Sequence, residues 1–158
     1  MSVDNYIGLF FSLLDGEEVQ YFLKNDGCNV LADKYILASV FVYFLRAKLT
    51  EDEYNLRNFF LALYLCHEIC EEIDEYKDEI VDYYLNIRRL FPPSTNQHFQ
   101  KFMEDRFLFL KRMCYKGHIH RKLCEKLFIL FPHVVWNRTR PLQHGGAHRC
   151  LPSCKQCL

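Results

Sequence analysis

Five side chains that commonly ligate transition metals crowd into fourteen residues at the end of the chain. They are His144, His148, Cys150, Cys154 and Cys157, within the run QHGGAHRCLPSCKQCL. Cys154-x-x-Cys157 has knuckle spacing, and tetrahedral zinc takes four ligands from such a set. Zinc modules, however, separate two ligand pairs by a folded stretch. The crowding here therefore points to a thiol-rich tail, with no resident metal or cofactor expected.

Other reactive groups are as weakly arranged for catalysis. The run ICEEIDEYKDE, from Ile69 to Glu79, concentrates carboxylates around a helix junction. A solvated acidic face explains it better than a catalytic pair, which needs a cleft and two contrasting environments. His67 and Glu68 are adjacent, but neighbours on a helix point in different directions, so His67 reads as structural or exposed. Cys66, Cys70, Cys114 and Cys124 fall in apolar helical patterns, where a thiol behaves as a small hydrophobe. No Gly-rich dinucleotide loop, Walker loop or nucleophile elbow is present. An enzyme is not expected.

Charge is divided along the chain. Residues 1–79 carry 16 Asp and Glu against 6 Lys and Arg, a net −10, and residues 80–158 carry 4 against 14, a net +10. The split fits two surfaces for partners of opposite sign, or two halves that pack together and neutralise one another. The basic set includes Arg88, Arg89, Lys111, Arg112, Arg121, Lys122, Arg138 and Arg140. Because the aromatics follow core spacing and the whole chain is neutral, direct nucleic-acid binding is not expected.

The elements that must position these groups are helices. Half of the 158 residues are hydrophobic, 16% are aromatic, and Gly (6) and Pro (5) are scarce. That composition suits one packed domain. Eight cysteines without a basic, apolar leader at the N-terminus suggest a reducing, intracellular setting. In that setting the glycosylation acceptor at Asn137 would be idle. The run ADKYILASVFVYFLRAK is apolar from Tyr35 to Leu45 except for Ser39. It is about half the length a membrane span needs, and it reads as a helix enclosed on all sides.

Helices are predicted over residues 15–25, 31–48, 51–72, 75–90, 95–116 and 118–131. Capping boxes open at Asp15, Thr50 and Ser94, Asp74 caps the fourth helix, and Gly117 stops the fifth. Leu56, Phe59, Leu63, Cys66 and Cys70 form the inner face of the third helix. Phe99, Phe102, Met103, Phe107 and Leu110 form that of the fifth. HVVW, from His133 to Trp136, is a short apolar anchor, and from Asn137 the chain turns polar and irregular, as a tail would.

Four stretches taken in order carry a resemblance. ADKYILASVFVYFLRAK, RNFFLALYLCHEICEE, IRRLFP and VVWNRTRPLQHGGAHR resemble the Speedy/RINGO family of non-cyclin activators of cyclin-dependent kinases, over roughly residues 9–149. The resemblance implies an all-α fold, a single cyclin-box-like helical domain over residues 9–140 with an irregular Cys/His-rich tail at 141–158. It implies a cell-cycle regulator of the nucleus or cytoplasm that binds and allosterically activates a cyclin-dependent kinase without activation-segment phosphorylation. The alternative is a kinase-binding adaptor, or a divergent paralogue without activating ability. The protein would be monomeric apart from the kinase, with no membrane partner. Asp33 would lie at the exposed start of the enclosed helix and stand in for part of a phosphate, since a carboxylate accepts bidentate bonds from Arg. Asp26, Glu71 and Glu72 match further acidic kinase-binding positions.

Overall fold

The computed structural model describes residues 1–71, 73–89 and 95–141, and among them contains helices and no strand. Seven α-helices follow one another: α1 (Val3–Leu14), α2 (Glu17–Lys24), α3 (Lys34–Arg46), α4 (Leu56–Cys70), α5 (Asp74–Ile87), α6 (Thr95–Arg112) and α7 (Arg121–Leu130). Short 3-10 turns occur at Gly27–Asn29, Glu51–Glu53 and Val134–Asn137. No helix among the described residues is long and apolar enough to cross a membrane.

α3 is the enclosed helix its composition predicts, with every residue from Ile36 to Phe44 buried. The outer helices close over it with aromatic rings. Phe10 of α1 stacks on Phe41 at 5.3 Å and meets Phe44 edge-on at 5.6 Å. α4 is a second axle, buried from Asn58 to His67. The five-residue stripe expected on α4 is therefore too narrow, and its last member, Cys70, is exposed. Phe22 of α2 stacks on Phe60, and Phe102 of α6 meets Tyr64 and Tyr84.

Several boundaries differ from those predicted, for identifiable reasons. α1 was not anticipated, although Ile7, Phe10 and Leu14, spaced three and four apart, are its buried residues. The Thr50–Glu53 capping box does form, but it closes a 3-10 turn, and α4 begins after a second cap, where Asn55 accepts from the Asn58 amide. α2 is capped by Gly16 rather than Asp15, and Asp74 is the first residue of α5 rather than its cap. Gly117 does not stop α6. That helix ends at Arg112, with Cys114 left-handed at φ 54° and the Tyr115 amide reaching back to the Leu110 carbonyl. α3 ends the same way through Lys48 at φ 54° and Leu49. Both closures are Schellman motifs built without glycine.

On α6 the inward side carries Phe102 and Phe109, with Met113 buried just past its end, whereas Phe99 and Phe107 are 38% and 49% exposed. Of the four cysteines expected to be core, Cys66 and Cys124 are buried and Cys70 and Cys114 are exposed. The apolar anchor after α7 forms as predicted: Val135 and Trp136 are buried, and the Trp136 indole N–H donates to the Phe131 carbonyl at 2.8 Å.

Because no face of α3 is left to solvent, Val42→Arg places a charge where no partner exists, a cost of several kcal/mol. The variant is expected to lose cooperative thermal unfolding by circular dichroism. A sharp transition at unchanged temperature would mean that α3 is not enclosed.

Candidate functional site

The N-terminal end of α3 is built from the loop that precedes it. Asp26 follows α2 and folds the loop around its own carboxylate. Its Oδ1 accepts from the Leu31 amide at 2.9 Å and its Oδ2 from the Ala32 amide at 2.8 Å. Cys28 and Asn29, both left-handed, make the turn between them. Seven residues on, Asp33 is the N-cap of α3, with Oδ1 accepting from the Ile36 amide at 2.9 Å. Neither acid is exposed: Asp26 retains 5% and Asp33 8% of its accessible surface. The expected exposed position of Asp33 is thus corrected, because a strap of C-terminal chain lies across it.

That strap is the segment expected to be tail-like. Trp136 anchors it, and then Arg138 and Arg140 turn inward. The Arg138 carbonyl accepts from the Lys34 amide at 2.8 Å, satisfying an amide in the first turn of α3. The Arg138 guanidinium donates to the Ala32 carbonyl at 2.8 Å, the Leu23 carbonyl at 3.2 Å and Asp26 Oδ2 at 3.0 Å. Asn29 donates to the Thr139 carbonyl at 2.8 Å. Arg140 then bridges two acids, with Nε 2.8 Å from Asp33 Oδ2 and Nη2 3.0 Å from Glu71 Oε1. Its side chain is 7% exposed and that of Glu71 10%.

Asp26 and Asp33, with the more distant Glu71, are therefore gathered with Arg138 and Arg140 into one acid–arginine cluster. Burial pushes the Asp26 carboxyl above its ordinary range, opposed by the Leu31 and Ala32 amides and by Arg138. Burial likewise pushes Asp33 up, opposed chiefly by Arg140. Glu71 was expected to be solvated and is instead held by Arg140. Glu72 and the tail residues His144, His148, Cys150, Cys154 and Cys157 lie outside the described residues. Among the described residues no group of His, Cys, Asp and Glu could hold a metal ion.

Arg138 and Arg140 are the members that residue-by-residue reading missed, having been counted as part of a basic half. The charge split held the signal. Arg112 reaches Glu53 and Arg106 reaches Glu68, so both join the acidic half to the basic one, as Arg138 and Arg140 do. Of the two readings left open by the split, the structure supports mutual neutralisation. His67 completes the support. It is 1% exposed, its Nε2 lies 2.7 Å from the Leu31 carbonyl, and Glu68 pairs with Arg106 instead of with it. Burial lowers its pKa to about 4, so it is neutral at physiological pH and donates through Nε2.

The fold thus gathers three acids and two arginines at the mouth of one helix. Residues 5–140 match the family described as Spy1, a cell cycle regulatory protein. The chain is 41% identical to Speedy protein A of Rattus norvegicus over 143 residues, which cover 89% of this chain and 43% of that protein. It is 37% identical to Speedy protein C of Homo sapiens over 148 residues, which cover 90% of this chain and 50% of that protein. The chain belongs to the Speedy family of cell cycle regulatory proteins. It spans about half the length of these two relatives, or somewhat less.

His67 gives the site a pH signature. Unfolded, the imidazole titrates near 6.5; folded, it titrates at about 4. The unfolded state takes up the proton first as pH falls, so the stability contributed above pH 6.5 is lost progressively towards pH 4, up to about 3 kcal/mol. Urea titrations of the wild type and His67→Gln, which keeps a donor for Leu31, should diverge across that window, with the wild type falling faster. Parallel curves would mean that folded His67 is readily protonated.

Proposed function

We propose that this chain is a cyclin-box-like domain that binds a cyclin-dependent kinase and shifts it towards its active conformation without activation-segment phosphorylation. The match to a cell cycle regulatory family along residues 5–140 carries this reading, and the position of Asp33 at the mouth of α3 gives it a mechanism. The domain performs no chemistry. It acts by binding the active kinase better than the inactive one, and a shift from mostly inactive to mostly active takes several kcal/mol of that preference. In the active arrangement the Lys–Glu ion pair between strand and C-helix is formed.

Asp33 serves such a mechanism by exchanging partners. One of its oxygens caps α3 and the other faces Arg140. Because Arg140 is also held by Glu71, it keeps one carboxylate when a kinase arginine takes the other. Asp33 then supplies part of the charge and geometry of an activating phosphate, with less charge than the phosphate it replaces. Asp26 and Glu71 act in this scheme by holding the strap that aims Asp33, and Glu72 keeps the kinase-binding role that the family resemblance implies. Beside Asp26, a cavity of about 330 Å³ lined by Tyr76, Glu79 and Tyr83 opens to the surface and offers a second acidic contact.

One observation favours a second reading. Asp33 is already paired inside the domain, which suits an adaptor that binds a kinase without activating it. The two readings separate in an assay with a kinase whose activation segment is unphosphorylated. The activator reading expects the wild-type domain to raise the rate of substrate-peptide phosphorylation. It expects Asp33→Asn, which still caps a helix, to remain folded and bound but to activate about tenfold less, roughly the worth of one charge-assisted hydrogen bond. Binding without turnover selects the adaptor. Failure to bind any cyclin-dependent kinase contradicts both, and an unchanged rate for Asp33→Asn removes that residue from the mechanism.

A further inference from the structure

Cys66 and Cys70 stand one turn apart at the end of α4 and take no part in the acid–arginine cluster. Side chains four apart on a helix are neighbours, with Cβ atoms roughly 5–6 Å from each other. The two differ sharply in access: Cys66 is buried, whereas Cys70, the last helical residue, is exposed. Tyr43 of α3 reaches the same spot. Its hydroxyl donates to the Gly117 carbonyl at 2.6 Å and lies 4.0 Å from Cys70 Sγ. Past Cys70 the helix stops at once, since Glu71 is extended at φ −117° and ψ 153°.

The thiols are also chemically unequal. Contact with Cys66 lowers the Cys70 thiol to about 7, opposed by burial and assisted by the Tyr43 hydroxyl. The same contact, with burial, pushes the Cys66 thiol well above its ordinary value. Near neutral pH the sulfur of the exposed residue is thus substantially thiolate, and that of the buried residue is a thiol. An exposed, low-pKa cysteine beside a second cysteine is the arrangement of an oxidant-reactive thiol with a resolving partner.

We propose that Cys70 is a peroxide-reactive thiol resolved by Cys66, so that a hydroperoxide converts the pair into a disulfide at the end of α4. The Cys70 thiolate attacks a peroxide oxygen and the O–O bond breaks. With hydrogen peroxide, hydroxide leaves and takes up a proton to become water. Cys70 becomes a sulfenic acid, oxidised by two electrons. The Cys66 sulfur then displaces the hydroxyl from Cys70, its proton departing with that hydroxyl as a second water, and the S–S bond forms. A disulfide needs Cβ atoms roughly 3.5–4.5 Å apart, closer than one helical turn provides. Closure therefore unwinds the last turn of α4, which the extended Glu71 permits, and draws Glu71 away from Arg140. This chemistry stands whether or not the domain activates a kinase.

The test uses the full reduced chain, treated with a small excess of hydrogen peroxide, blocked with iodoacetamide and digested with trypsin. Cys66 and Cys70 fall in the peptide from Asn58 to Lys77, so mass spectrometry reads both at once. That peptide should lose two hydrogens and resist alkylation, and Cys70 should react about threefold faster than Cys114. The factor reflects the thiolate character of Cys70, offset by the lower nucleophilicity of a low-pKa sulfur. In Cys66→Ala, dimedone should trap a sulfenic acid at Cys70. In Cys70→Ser, an exposed and structurally mild change, Cys66 should stay reduced at the same dose. The proposal is overturned if Cys70 reacts no faster than Cys114. It is equally overturned if wild-type Cys70 stays alkylatable, or pairs with a tail cysteine in place of Cys66.

Discussion

Taking Asp26, Asp33 and Glu71 out of water is tolerable only because Arg138 and Arg140 are buried with them. An unpaired buried carboxylate costs several kcal/mol, and a shared guanidinium removes that cost only if each oxygen also finds a donor. For Asp26 and Asp33 the loop amides of Leu31 and Ala32 and the first-turn amide of Ile36 supply those donors. The result is mutual dependence. The Asp26 loop needs the strap, the strap needs the loop carbonyls, and α3 starts where both meet. Trp136, buried against Phe128 and Phe11, brings the two arginines to that place.

The same dependence explains the division of charge along the chain. A net −10 half and a net +10 half would repel themselves if each folded alone. Packed together, their Arg–carboxylate pairs sew the last described segment to the first half. Neutrality of the whole is then a property of the fold, with partner binding a separate matter. Under the proposed function, a partner that takes hold of Asp33 has to compete with Arg140, which couples its binding to the integrity of the strap.

Much of this was legible from residue patterns. The apolar run from Tyr35 to Leu45 announced an enclosed helix, since no other soluble element buries all its faces over that length. The apolar anchor at Trp136 was equally plain. Helix ends were read less well, because Lys48 and Cys114 take the left-handed position that sequence reasoning reserves for Gly. α4 looked like an ordinary amphipathic helix because its second buried face is formed by Phe60, Leu61 and Tyr64, which a single-stripe count leaves out. Asp33 looked exposed because acids usually are. Its partner lies more than a hundred residues away, and no local pattern ties one arginine among fourteen basic residues to one acid among sixteen. Burial at this site arises from tertiary pairing, which periodicity does not encode.

Asp33 and Arg140 hold each other inside the domain. A double-mutant cycle measures this directly, using Asp33→Asn, Arg140→Gln and the pair, each assayed by equilibrium urea unfolding at pH 7. Asp33→Asn removes charge at constant size, and Arg140→Gln removes charge while leaving a shorter amide that still hydrogen-bonds. The pairing described here predicts a coupling energy of about 2 kcal/mol, with the double variant more stable than the two single losses would sum to. Additivity within about 0.5 kcal/mol would contradict it, and would return Asp33 to solvent and the strap to a tail.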